Sequence, residues 1–261
     1  MQKPSNGQGW PSAPSITRVR HDLHRRSLTV TAVERLTPHM IRITLGGAEL
    51  AGFTSAAPDD HIKIFIPQKQ GEDVRRDYTP RRYDPAAATL VLDFVDHHGG
   101  PAAAWACAAR VGDRLDIGGP KGSQVIADDV RQWLLVGDET ALPAIGRRVE
   151  ALPAQATVTT VVAVPEAADE QTFATCARHG AYWVHRPTDQ ADQAQALVAV
   201  LAKLPIPEGT FVWVGAEAHV ARAIRQYLLE ERGIPAQWVK SAGYWVKGQA
   251  DASVRDVETM R

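Results

Sequence analysis

The sequence predicts two unlike halves: an N-terminal antiparallel β-barrel, then a C-terminal open parallel α/β domain. Three observations predict this. The 261 residues suffice for one large domain or two small ones, at roughly 150 residues each. From residue 16 to about 125, short β-branched or alternating runs are broken by Gly and Pro, the pattern of a small antiparallel barrel. From about residue 130, strand-like runs alternate with helical ones, the pattern of a parallel sheet covered on both faces.

Each element follows from local pattern. Met1–Ser15 is polar, rich in Pro, Gly and Ser, and lacks the apolar stretch of a signal peptide, so it reads as a disordered tail. Leu28–Val33 and Met40–Leu45 alternate or are β-branched. His61–Ile66 sets His61, Lys63 and Phe65 on one face against three Ile on the other, as strand periodicity requires. Leu90–Val95 and Asp113–Ile117 continue the strands, and one helix interrupts them from Pro101 to about Arg110. In the second half come the strand Trp133–Gly137, a helix over Ala141–Leu152, and the strands Thr157–Val164 and Tyr182–His185. A helix over Ala191–Leu204, the strand Phe211–Gly215, a helix over Ala218–Arg232 and the strand Pro235–Val239 follow. Ala250–Arg261 is polar. The expected division is a disordered tail over 1–17, a first domain over 18–125, a second over 126–248 and a C-terminal tail over 249–261.

Composition excludes several classes of function. Hydrophobic residues make up 44% and charged residues 23%, as in ordinary globular chains. Lys+Arg 29 against Asp+Glu 30 leaves a net charge of −1, far from the basic balance of a nucleic-acid binder. No apolar run approaches the roughly 20 residues that cross a bilayer, so no membrane partner is expected. Two cysteines, Cys107 and Cys176, cannot build a disulfide framework or a Cys-rich metal site; they read as small apolar filler in a reducing, cytoplasmic setting.

Five segments could carry chemistry. In Arg76-Asp-Tyr-Thr-Pro-Arg81, strand geometry puts Arg76 and Tyr78 on one side. There Arg can hold a phosphate, Tyr can stack on a flat ring and Thr79 can bond a ring heteroatom. A charged edge strand fits the same spacing. Asp93–Trp105 runs from a strand through Gly-Gly into a helix that opens with Pro and three Ala. This is either a phosphate site at a helix N-terminus or a well-started helix under a tight turn. Gly118–Ser123 lacks the Walker spacing and reads as a plain turn joining the halves, with Lys121 projecting. Val136–Pro143 follows the first strand of the α/β half, where open sheets gather ligands. Asp138 or Thr140 can cap its helix, although the usual dinucleotide glycine fingerprint is absent. In Ala242–Gly248, Tyr244 and Trp245 could cover a flat cofactor or anchor the C-terminus. His21-Asp-Leu-His24 has i, i+3 spacing without an evident third metal ligand, and His97-His98 also lacks company. No metal is expected.

These motifs, in this order, resemble the siderophore-interacting protein family of FAD-dependent ferric-siderophore reductases, over about residues 18–248. The matching segments are Asp60-His-Ile-Lys-Ile-Phe65, Arg76-x-Tyr-Thr-x-Arg81, Asp93-Phe-Val-x-His97 running to Gly100-Pro-Ala-x-x-Trp105, Gly119–Ser123, Asp138–Ile145, and Gly243-Tyr-Trp245 with Gly248. The family is similar to ferredoxin reductases, a flavin-holding barrel before a nicotinamide-binding α/β domain. The resemblance implies that Arg76, Tyr78 and Thr79 hold FAD, with Tyr78 on the flavin ring and Arg76 near the phosphates. It implies that Asp93, Val95 and His97 line the flavin. Ala102, Ala103 and Ala104 would offer amides to the pyrophosphate, with Trp105 supporting the turn. Thr140 and Ala141 would touch the flavin from the second domain, Asp138 and Glu139 would border the nicotinamide path, and Tyr244 and Trp245 would complete the cofactor site. Lys63, Lys247 and Lys121 would attract an anionic ferric siderophore.

The implied reaction passes electrons from NAD(P)H through the flavin to chelated Fe(III), with no dedicated acid–base pair. The chain departs from the family where Val246 stands in place of Arg and at His98-Gly99 after the family's histidine. Glu166 speaks against a cofactor 2′-phosphate and Arg186 for one. A monomer is expected.

Overall fold

A computed structural model describes residues 9–68, 71–97, 100–249 and 253. The first half supplies β1 (Ile16–Arg20), β2 (Arg25–Thr37), β3 (Met40–Gly46), β4 (Ile62–Ile66), β5 (Val74–Tyr78), β6 (Arg82–Asp84) and β7 (Thr89–Val95). Helix α1 (Pro101–Ala108) and the strands β8 (Arg114–Gly118) and β9 (Gly122–Ile126) follow. Seven of these strands form one antiparallel sheet in the order β5-β4-β8-β2-β3-β7-β6. It curls around Leu28, Val30, Ile43, Ile64, Leu92 and Phe94. In β4 the three Ile face this core, and Lys63 and Phe65 stand on the outer side, as the alternation predicts.

The second half supplies β10 (Gln132–Asp138), α2 (Leu142–Ala151), β11 (Thr157–Val164), β12 (Arg178–His185), α3 (Gln195–Lys203), β13 (Thr210–Glu217), α4 (Ala218–Gln226) and β14 (Val239–Trp245). The strands pair in parallel in the order β12-β11-β10-β13-β14. The order reverses between β10 and β13, and ligands of such sheets bind at the carboxyl ends of the strands flanking that point. Asp138 and Glu217 end these two strands.

The structure corrects several expectations. The tail expected over 1–17 ends earlier: Trp10 packs on Trp238 with ring centroids 5.6 Å apart, and β1 pairs antiparallel with β9. All five residues of β1 are exposed, so no buried face imposes an alternation on the sequence. Residues 1–8, His98-Gly99 and, apart from Ser253, residues 250–261 of the expected C-terminal tail lie outside the described residues. The turn at Gly118–Ser123 joins β8 to β9, not one half to the other, and contains a cis Gly119–Pro120 bond. The strand expected over Pro235–Val239 begins only at Val239, because Ala236–Trp238 forms a 3₁₀ turn closed by Trp238 N–H on the Pro235 carbonyl at 2.9 Å. The helix expected over Ala218–Arg232 ends its α-helical part at Gln226 and closes in a wider turn, Tyr227–Glu231.

Candidate functional site

The Arg76–Arg81 segment forms the end of β5 and the loop after it. Tyr78 lies 4.3 Å from Phe94, which lies 5.6 Å from Trp105 in α1, so one aromatic row joins this strand to the helix. Burial raises the Tyr78 hydroxyl above its usual range, with the Arg76 charge pulling the other way. Arg76 is half-buried, and its Nη1 donates to the Arg75 carbonyl at 2.7 Å. Thr79 is buried, next to the Tyr244 hydroxyl of the other half. That hydroxyl has no hydrogen-bond partner of good geometry. Burial, then the Asp59 charge, pushes it well above its ordinary pKa, with the neighbouring Thr79 hydroxyl pulling the other way.

At α1, Pro101 occupies the first turn and the helical ladder starts with Ala104 N–H on the Gly100 carbonyl at 2.9 Å. The amides of Ala102 and Ala103 therefore precede the ladder, as an anion-binding helix start requires. The methyls of Ala102 and Ala103 are buried and Ala104 is exposed. His97 is exposed, and its ring lies where a side chain at Gly100 would stand, 2.5 Å from such a Cβ.

Asp93 is turned toward its own sheet. Arg42 grips it with two bonds of 2.7 and 2.8 Å, and Arg81 Nε stands 3.8 Å away. Val95 packs against the core of the second half.

Asp138, Glu139, Thr140 and Ala141 form the turn from β10 into α2. Asp138 is 1% exposed, and both carboxylate oxygens are engaged. Oδ1 accepts from the Thr140 amide at 2.9 Å and hydroxyl at 2.5 Å. Oδ2 accepts from Glu217 N–H at 2.8 Å and Trp245 Nε1 at 3.0 Å. Asp138 thus clasps the ends of β10, β13 and β14. Glu139 is buried and accepts from Arg186 Nη2 at 2.7 Å. Burial and the adjacent Asp138 push Glu139 up to about 7 in spite of that arginine. Arg186, the residue expected to favour a 2′-phosphate, is buried and engaged in this pair. Ala141 has no exposed surface; it packs beneath the turn, and its half-exposed neighbour Thr140 is the more accessible of the two.

The three lysines are not equivalent. Lys63 pairs with Asp77 on the neighbouring strand at 3.1 Å. Lys247 pairs with Asp192 at 2.8 Å and also donates to the Asp189 carbonyl. Lys121 is exposed on the β8–β9 turn.

Apart from Arg81, which closes the Arg76–Arg81 motif, the residues between the halves carry no motif-like spacing, and sequence reasoning passed over them. Arg81 makes two bonds of 2.8 and 2.6 Å to Glu150 of α2. Arg147 donates to Ser55 Oγ at 2.8 Å, the Ser55 carbonyl at 2.7 Å and the Pro80 carbonyl at 3.1 Å. Asp59 accepts from Lys240 at 2.6 Å and Trp213 at 3.2 Å; burial raises its pKa, but the Lys240 charge wins and holds it low. A Cβ at Gly146 would stand 2.6 Å from Phe173 and 3.0 Å from Arg81, so only glycine lets both side chains cross α2. Besides Arg81, a sequence signal that could have pointed to them is Arg147-Arg148-x-Glu150 on a helix with an otherwise apolar face.

A cofactor with a flat ring and a diphosphate fits this donor set. The Tyr78–Phe94–Trp105 row offers aromatic faces, Arg76 a cation and the start of α1 free amides, and Thr79 meets Tyr244 where the two halves join. The two-domain fold is ferredoxin-reductase-like: a cytochrome P450 reductase of Amycolatopsis and a ferredoxin reductase of carbazole 1,9a-dioxygenase superpose with TM-scores of 0.64 at 20% and 18% identity. Residues 130–248 match the model of the siderophore-interacting protein family, and 29–75 and 71–124 match that of the siderophore-interacting FAD-binding domain. The chain is 37% identical to an NADPH-dependent ferric-chelate reductase of Escherichia coli, over 87% of this chain and 95% of that one. It is 26% identical to a ferric vibriobactin reductase of Vibrio cholerae, over 90% and 94%. The crystal structure of a siderophore utilization protein from T. fusca superposes with a TM-score of 0.85 at 35% identity, covering 91% of this chain and 98% of that one. The chain belongs to the siderophore-interacting protein family.

Proposed function

We propose that the chain is an FAD-dependent NAD(P)H:ferric-siderophore reductase that releases iron by reducing chelated Fe(III) to Fe(II). The observation that carries this reading is the approach of Thr79, which directly follows Tyr78 of the Tyr78–Phe94–Trp105 row in one half, to Tyr244 of the other, next in sequence to the Trp245 that Asp138 holds. When bound, FAD converts the two-electron delivery of a nicotinamide into one-electron transfers to iron. The chain's own residues bind and orient. Arg76 and the amides of Ala102 and Ala103 neutralise the diphosphate, Tyr78 supplies a flat apolar face, and Thr79 offers a hydroxyl. Asp138 fixes Trp245 over the carboxyl ends of the parallel strands. Hard oxygen ligands hold Fe(III) far better than Fe(II), so reduction frees the metal without breaking the siderophore, and no side chain has to move a proton to it.

The substrate reaches the site by charge. Lys63, Lys121 and Lys247 attract an anionic chelate, and a shallow basic cleft suffices when only electrons must cross. In this reading the FAD unit spans 18–125 and the nicotinamide unit 126–248, and the chain works as a cytoplasmic monomer. Among the described residues no helix is long and apolar enough to cross a membrane.

One observation favours a second reading. The Asp77 and Asp192 partners of Lys63 and Lys247 weaken the positive field of the cleft, which suits a general NAD(P)H–flavin reductase with a less anionic acceptor. A non-catalytic siderophore binder would leave the aromatic row unused. An absorbance spectrum decides among these. Two flavin bands that bleach with NADH or NADPH and return on adding a ferric siderophore, as a ferrous trap colours, support the proposal. Bleaching with no preference for ferric chelates supports the flavin reductase. A colourless protein that cannot be loaded with FAD refutes both.

A further inference from the structure

A cavity of about 250 Å³ opens beside the start of β2, and none of its lining residues is assigned above to FAD, nicotinamide or chelate. Arg20, His21, Asp22, His24, Arg26 and Thr54 supply its polar wall. Arg26 is the telling residue. It is 6% exposed, its Nε donates to the Glu49 carbonyl at 2.8 Å, and its plane lies 5.5 Å from the Phe53 ring centroid. Among the described residues no carboxylate pairs with it, its one side-chain hydrogen bond is that from Nε, and the residue lines the cavity. A buried guanidinium without a counter-charge is costly, and its fork of N–H donors matches a carboxylate or phosphate.

The rest of the wall agrees. Arg20 and Arg26 are permanently charged and Asp22 is the one acid lining the cavity, so the fixed charge is positive. His21 is held in place by Ser123 Oγ at 2.7 Å, which donates to Asp60 at 2.6 Å. The His21–His24 pair, spaced as a half-made metal site, therefore lies among arginines, where a cation is repelled. The volume is below the roughly 300–1,000 Å³ of sites for drug-sized ligands, which limits the occupant to a small ion.

We propose that this cavity binds a small multivalent oxyanion, a phosphate or a polycarboxylate, at a site separate from the electron-transfer cleft. The full-length, FAD-loaded protein is titrated calorimetrically with inorganic phosphate and, separately, citrate, at constant ionic strength against sodium chloride. The imidazole NMR signals of His21 and His24 are followed in parallel. The expected result is one saturable site for at least one of the two probes, with both histidine signals moving. Citrate alone marks the occupant as a polycarboxylate, and phosphate alone as a phosphate. Arg20→Ser, on an exposed side chain, weakens binding by about tenfold or more, the loss of one charge-assisted bond. Arg26→Met abolishes binding; if that variant fails to fold, Arg20→Ser decides alone. Absence of saturable binding, or equal binding by Arg20→Ser, overturns the proposal. So does loss of binding in Lys63→Glu, which would place the anion in the cleft. Failure to load FAD would refute the reductase reading and leave the anion titration interpretable on the same chain.

Discussion

Asp138→Ala separates a structural clasp from a nicotinamide ligand. The family resemblance places Asp138 beside the nicotinamide path, yet the carboxylate already accepts four hydrogen bonds from three residues. Removing it strands the amide of Glu217, a residue with no exposed surface, and frees the indole N–H of half-buried Trp245. Thr140, half-exposed, can turn to water. A buried donor left without a partner costs about 1–3 kcal/mol. Counting Glu217 in full and Trp245 in part gives a loss of about 2–4 kcal/mol. At about 2–4 °C per kcal/mol for chains of this size, the melting point should fall by about 5–15 °C. Asp138→Asn should not rescue it, because its amide N–H₂ faces a donor on one side or the other. The assay is thermal unfolding of FAD-loaded protein followed by circular dichroism, with NAD(P)H kinetics measured well below the transition. Melting within about 1 °C of the parent, together with a KM for NAD(P)H raised tenfold or more, would refute the clasp and make Asp138 a nicotinamide ligand.

The site's other charges give further tests. Glu139 is pushed up to about 7, chiefly by burial and then by Asp138, so the folded chain holds this proton more tightly than the unfolded one. Its contribution to stability therefore falls as pH rises from the ordinary carboxylate range to about 7 and is flat above; Glu139→Gln should remove that slope in urea unfolding, and an unchanged slope would locate the titration elsewhere. Arg81→Met breaks the paired bonds to Glu150 and should lower stability by about 1–3 kcal/mol in the same assay, with Glu150→Gln milder because Glu150 is the more exposed partner. Arg76→Ala should weaken FAD binding about 10- to 100-fold, the loss of a charge-assisted bond; full flavin content in the purified variant would sink its assignment. Lys247→Glu, placed beside Asp192, should slow reduction of anionic chelates while the flavin stays bound, and unchanged chelate kinetics would remove Lys247 from the site.

The order of a curled antiparallel sheet followed by an open parallel one was legible because burial writes a period into a strand. The alternation of Ile62, Ile64 and Ile66 with Lys63 and Phe65 is the residue-level form of that rule, and β13, with every residue buried, is its uninterrupted form. Where burial is absent the signal goes too. The wholly exposed β1 looked like tail, and the edge strands β5 and β6 carry mixed patterns. Motif residues such as Tyr78 and Thr79 stand out as candidates because their chemistry is local. Their partners could not: Tyr244 meets Thr79 across more than a hundred residues of chain, and no spacing rule spans that gap.

The same reasoning explains why the partners of the acidic residues were not legible in the sequence. A carboxylate in a motif looks free to meet a ligand, because its partner is set by the fold and not by the neighbouring sequence. Asp93 meets Arg42 only because β3 and β7 pair in register at those two residues. Asp138 meets Glu217 and Trp245 only because β10, β13 and β14 end side by side. Asp93 ties two paired strands to each other and Asp138 ties strand ends together, and in the proposed function most cofactor contacts fall to neutral groups: Tyr78, Thr79, the α1 amides, Tyr244 and Trp245. Such a division suits a reductase whose cofactor carries the chemistry. The site needs rigid faces at fixed spacing more than it needs titrating groups, and the buried carboxylates supply that rigidity from below.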